Sequence, residues 1–166
     1  MMPISDPLEI LLITNRWATH KILDACVPLS TEQFHRRFEM GPGSLHDTTT
    51  HILGAMRIWI DRLAERPEVA RIDMGGVKRT VVELRPLLDE LSAELSEVAH
   101  KYPLDQTITV SRGGKTYTFV RGGALTHVLT HGTHHRAQCL NMLRHLGVSP
   151  LPPSSVVEWM RDGAPV

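Results

Sequence analysis

The chain has 166 residues, enough to bury a core without disulfides or other staples, and residues 1–166 read as one domain. Its 18 acidic and 18 basic side chains cancel and are mixed along the chain, so no block of like charge offers a phosphate-tracking surface and no nucleic-acid partner is expected. Cys26 and Cys139 sit in apolar helical contexts rather than in a secreted disulfide framework, and the opening MMPISDPLEILLITNRW lacks a basic region and a long apolar run; a cytoplasmic chain with no membrane partner is expected.

Residues 6–26 carry Leu8, Leu11, Leu12, Ala18, Ile22 and Cys26 at three- and four-residue spacing, the apolar stripe of a helix packed on one side. Asp6 can cap it, Pro7 fits its first turn, and Pro28 ends it. Asn15 and Thr19 fall on the same stripe, either as a polar patch lining an internal cavity or as ordinary variation. After a loop with Pro42 and Gly43, residues 44–65 form a second helix with Ile52, Ala55, Met56, Trp59 and Leu63 on its apolar face, stopped by Pro67. The stretch 66–79 shows no periodicity. Residues 81–101 form a third helix, with Leu84, Leu88, Leu91, Leu95 and Val98 at helical spacing. In TITVSRGGKTYTFV, β-branched and aromatic residues alternate with polar ones around Gly113-Gly114, the pattern of a hairpin that must lie on the helices to be stable. A fourth helix runs from about residue 123 to residue 145 and closes at Gly147, and a short terminal helix carries Val156, Val157 and Trp159. The fold class is therefore all-α: a four-helix bundle with a small β-hairpin before the fourth helix and a short C-terminal helix. The long connections leave both a crossover and a simple up-down order open.

The fourth helix carries the chemistry. Its inward stripe reads Ala124, Val128, His131, His135, Cys139, Met142, Leu146, so two imidazoles interrupt an apolar face at the spacing that stacks them about 6 Å apart along the axis. The residues between them are Gly132, Thr133 and His134, without the glutamate that a zinc protease places there. Two histidines are too few for a tight site, and a third ligand must come from a neighbouring helix. His51 on the second helix is the first candidate, and His20 on the first helix the reserve. His46 is expected to be exposed, His127 to lie at the rim or behind the ligands, and His134 and His145 to point elsewhere. Imidazole suits zinc, nickel, cobalt or copper. Gln138, Asn15 and Glu83 are candidates to orient the ligands from outside. No general acid or base stands out beyond Asp47, whose place in the first turn of a helix also suits the dipole alone.

These residues resemble the DinB-like helical-bundle superfamily, which includes the YfiT-type metal-dependent hydrolases. The resemblance rests on DTTTHILGAMRIWIDRL, with Trp59 eight residues after His51, and on HVLTHGTHHRAQCLNMLRHLG, where His131, His135, Arg136 and Gln138 form an H-x3-H-R-x-Q run. Asn15, Arg16 and Trp17 and the tail after Leu151 extend it over the whole chain. Ala137 stands where the family usually has Gly, and SSVVEWM stands where it often has an Asp. The resemblance implies an up-down-down-up bundle, a homodimer, and nickel or zinc held by His51, His131 and His135. For activity it implies a metal-dependent hydrolase, or a transferase or isomerase using a low-molecular-weight thiol; the competing reading of the three-histidine site is a non-catalytic metal-binding or stress-response protein.

Overall fold

The computed structural model describes residues 4–73 and 75–165. Four long helices, α1 (Pro7–Cys26), α3 (Leu45–Leu63), α4 (Val81–Lys101) and α5 (Arg121–His145), are joined by a short α2 (Thr31–His35), a hairpin of β1 (Thr107–Arg112) and β2 (Lys115–Val120), and α6 (Val156–Arg161). The starts are written in the side chains. Asp6 accepts from the Leu8 N–H at 2.7 Å, Ser44 caps α3, and Ser30-Gln33, Thr80-Glu83 and Ser155-Glu158 are reciprocal capping boxes. One of these boxes builds α2, a helix that the hydrophobic periodicity does not predict because five residues are too few to show a period. Glu83, expected to orient a ligand, is committed to its cap instead.

Ion pairs fix the directions of the helices. Between α1 and α4, Glu9 pairs with His100, Arg16 with Asp89 and Asp24 with Arg85, so these two run antiparallel. Between α3 and α4, the His46 ring meets the chain at Arg79, and Arg57 pairs with Glu94 further along, so these two run parallel. Against α5, His51 meets His135 and Trp59 meets His127, so α3 and α5 are antiparallel. The order is up-down-down-up, with α1 beside α4 and α5, α3 beside the same two, and α1 and α3 on a diagonal. Leu23, Ile52, Ile60, Leu88, Leu95 and Leu143 fill the middle.

The hairpin closes through Gly113 and Gly114, both at positive φ (58° and 74°), the backbone that a two-residue turn of this hand requires. Ile108 and Val110 point into the core against α3, whereas every residue of β2 is exposed, so the hairpin is anchored mainly through β1, with Phe119 of β2 set edge-on against Trp59. β2 leads straight into α5, which begins at Arg121 rather than near residue 123.

Asn15 and Thr19 receive a buried guanidinium. Arg136, 4% exposed, donates from Nη1 to Asn15 Oδ1 at 2.6 Å and to Thr19 Oγ1 at 3.3 Å, and from Nη2 to Thr133 Oγ1 at 3.1 Å. Gly132 lets the two helices close at this level, since a β-carbon there would overlap Asn15 Oδ1. Burial pushes the Arg136 pKa down to about 10, which leaves it charged at neutral pH and dependent on its acceptors. Asn15→Leu, which strips the strongest acceptor from a buried charge, is expected to lower unfolding free energy by about 3 kcal/mol in urea titrations. Surface substitution of neighbouring Arg16→Gln, whose ion pair is half exposed, is expected to cost well under about 1 kcal/mol.

Candidate metal centre

The α5 stripe faces inward as its spacing predicts: Ala124, Val128, His135, Cys139 and Met142 are buried, and His131 is half-buried. Across from it α3 presents His51. The ring centroids lie 5.0 Å apart for His51 and His131, 4.6 Å for His51 and His135, and 4.3 Å for His131 and His135. One ring nitrogen from each lies within 4.8 Å of the other two, a cluster able to coordinate a divalent ion. His131 Nε2 and His135 Nε2 are 3.1 Å apart, close to the roughly 3.4 Å separating two imidazole ligands of a tetrahedral ion with bonds near 2.05 Å.

Two of the three rings are held from behind. His51 Nδ1 lies 3.1 Å from Asp73 Oδ2; the carboxylate can only accept, so Nδ1 carries the hydrogen and Nε2 presents its lone pair to the cluster. Asp73 is itself gripped by Arg71, from Nε at 2.9 Å and from Nη2 at 2.5 Å. Burial alone would raise the Asp73 carboxyl, but the hydrogen bonds from Arg71 and His51 hold it below the usual carboxylate range, so it stays ionised. His135 Nδ1 donates to Gln138 Oε1 at 2.8 Å, and Gln138 Nε2 turns to His134 Nε2 at 3.1 Å, which orients the amide. A carboxylate on one ring and an amide on another is the outer support that metal-binding histidines use.

Two of the rings are also biased toward the neutral form. Burial first, and then the neighbouring His135 and His51 rings, push His131 down to about 3. Burial likewise lowers His135, outweighing the hydrogen bond to Gln138. Neutral imidazoles are the form that binds metal.

The other sequence candidates divide clearly. His20, the reserve ligand, is spent on Asp89 between α1 and α4, with Nε2 2.8 Å from Oδ1. His46, expected to be exposed, is 5% exposed: its Nδ1 meets Asp47 at 3.0 Å and its Nε2 accepts the Arg79 N–H at 3.0 Å, because the segment before α4 folds down over it. Asp47 is held by Arg37 at 2.7 Å and by His46 rather than left free for proton transfer. His127 stands at the rim against Trp59 (5.3 Å) and His131 (5.6 Å). Asn15 serves Arg136, not an imidazole. Cys26 and Cys139 are buried and unpaired, with both thiols pushed up by burial, so neither offers a thiolate.

Asp73 was not among the sequence candidates, since it lies in the aperiodic stretch before α4. One signal pointed to it. Gly54 sits mid-helix, where glycine costs about 1 kcal/mol against alanine, and a β-carbon there would overlap the Asp73 carboxylate. Cavities of about 490 and 480 Å³ flank the cluster, one on the α2 side and one under the hairpin, and share His51 as a common wall.

The chain belongs to the DinB family, whose family model matches residues 4–159. No curated protein matches it. Among the described residues no helix is long and apolar enough to cross a membrane.

A base whose folded pKa is depressed takes its proton first in the unfolded chain, so stability should fall as pH drops from about 6.5 toward about 3. The melting temperature of chelator-treated protein is expected to decline between about pH 7 and about pH 5, with His131→Gln showing a shallower slope. A slope identical in the two proteins would show that His131 titrates normally.

Proposed function

We propose that this DinB-family chain is a metal-dependent enzyme acting on a small molecule, with His51, His131 and His135 as the ligands of one nickel or zinc ion. The observation that carries this reading is the inward convergence of three imidazoles, two of which have their outer nitrogens held by Asp73 and Gln138. The donor set fits: three nitrogens with a cavity on either side leave a coordination position for water or substrate, as in a catalytic rather than a closed structural site. A divalent ion bound there supplies Lewis acidity, lowering the pKa of a water or thiol beside it. Hydrolysis by such a water is the leading reaction. The concave surroundings weigh against a purely structural or stress-related metal site.

A second reading, transfer or isomerisation through a low-molecular-weight thiol, is favoured by two specific features. The carboxylates nearest the cluster are engaged, Asp73 by Arg71 and Glu68 by Arg62, so neither is free to serve as the acid or base that hydrolysis uses. The two cavities give room for a thiol and its acceptor together. A homodimer is the assembly the family resemblance implies. Two buried cysteines that remain unpaired favour a reducing compartment, in keeping with a cytoplasmic protein.

Elemental analysis of untagged protein is expected to find about one nickel or zinc per chain, lost in both His51→Ala and His131→Ala, with metal raising the melting temperature of the wild type only. Asp73→Ala should keep the ligands yet weaken metal affinity about 10- to 100-fold in competition with a chromophoric chelator. Metal content unaffected by His131→Ala would overturn the assignment.

A further inference from the structure

The two cavities beside His51 differ in charge and in what else they touch. On the α2 side, Arg37 and Lys78 are balanced by Asp47 and Asp73, and His51 is the only one of the three imidazoles on the wall. Under the hairpin, His51 and His131 both line the wall, and Arg62, Arg71 and Arg112 stand against the single carboxylate of Glu68. Glu68 is taken by Arg62 at 2.7 Å, and Arg71 is occupied with Asp73. Arg112 has no ion pair among the described residues.

The position of Arg112 is costly for the hairpin itself. In the strand register it stands directly opposite Lys115, a like-charge pair beside a two-glycine turn, where opposite charges or β-branched partners would stabilise the strands. Among the described residues neither Arg112 nor Lys115 has an ion pair to offset this repulsion, whereas an anion between hairpin and helix would. The floor below is apolar. Ala55, Ile58 and Trp59 of α3 form it, and the Trp59 ring is fixed edge-on by Phe119 (6.0 Å) and His127 (5.3 Å), with the Arg62 guanidinium 4.9 Å from its centroid.

We propose that the cavity under the hairpin binds a small organic carboxylate, its anionic end on Arg112, its hydrocarbon body along Ile58 and Trp59, and its reacting end toward His51 and His131. Only the last part rests on the metal reading; the anion and apolar subsites stand on the cavity alone. The planar guanidinium can take a carboxylate through two parallel hydrogen bonds, which a neutral amide cannot reproduce with a charged partner. The hairpin is thereby a specificity element, since β1 ties it to the core while its turn reaches over the site.

The test is calorimetric titration of full-length, metal-analysed protein with 3-phenylpropionate and with 3-phenylpropionamide. The carboxylate is expected to bind about tenfold more tightly than the amide, the ratio that one charge-assisted hydrogen-bonded pair supplies. Arg112→Gln should abolish the preference with metal content unchanged, Arg112→Lys should retain part of it, and Trp59→Leu should weaken both probes alike. Equal binding of the two probes overturns the proposal. So does a preference that survives Arg112→Gln, which is what a carboxylate seated on the ion alone would give. Protein that holds no metal yet prefers the carboxylate through Arg112 removes the metal reading and leaves this site standing.

Discussion

Because α3 and α4 run in the same direction, the chain cannot turn tightly between them; residues 64–80 must travel back along the whole bundle before α4 can start. That return path crosses the face of α3 that carries His46, His51 and Gly54, and the local details follow from it. Asp73 settles over Gly54 and takes the outer nitrogen of His51, Arg79 donates its N–H to His46, and Arg71 neutralises the carboxylate that the crossing has half-buried. In an up-down-up-down bundle the same helices could be joined by a short loop, and His51 would have no carboxylate behind it. The topology thus supplies part of the site's chemistry.

The H-x3-H-R-x-Q run has a mechanical reading in this frame. On α5, residues 131 and 135 face α3, while residue 136, about 100° further round, faces α1. Gln138, three residues beyond His135, lies within reach of its Nδ1 on the same side. One turn and a half of helix therefore holds the two imidazoles, the clamp that docks the helix on α1, and the amide that orients one ring. Ala137 points outward and touches none of these, so the absence of a glycine there costs the cluster nothing. Gly132, between the histidines, completes the set by letting α1 approach closely enough for Asn15 to reach Arg136. The clamp and the cluster share one helix, so a shift that loosens Arg136 from Asn15 would also move His131 and His135 relative to His51.

Much of this was legible in the sequence because it is periodic or local. Four helices, the hairpin and the terminal helix follow from spacing, caps and glycines, and His51, His131 and His135 stand out because polar rings on an apolar stripe need partners. What escaped was nonlocal. The burial of His46, the commitment of Asn15 to Arg136 and the carboxylate of Asp73 all depend on which segments the topology lays side by side. No spacing rule links Asp73 to His51 across 22 residues, yet Gly54 recorded the contact from the other side, as a gap in a helix where a larger residue would have been cheaper. The short α2 escaped for a different reason: its five residues hold a capping box and one buried anchor, Phe34, but no period.

Gathering the three imidazoles has a thermodynamic cost for the metal-free fold. Burial and the neighbouring rings lower His131 and His135, so the folded chain forgoes proton binding there that the unfolded chain retains below about pH 6.5. Asp73 and Gln138 fix two Nδ1 hydrogens outward and leave the inward nitrogens with lone pairs facing one another, although the hydrogen bond to Gln138 by itself pulls His135 toward the proton; the 3.1 Å between His131 and His135 is tolerable only if one of them donates. A divalent ion held by these three rings would relieve this: it would replace a proton as the positive partner and satisfy the inward lone pairs, and binding to the folded arrangement alone would add to stability. The features that make His131 and His135 poor at holding protons would suit a cation that neutral nitrogens can share, while Arg71 neutralises the carboxylate behind His51.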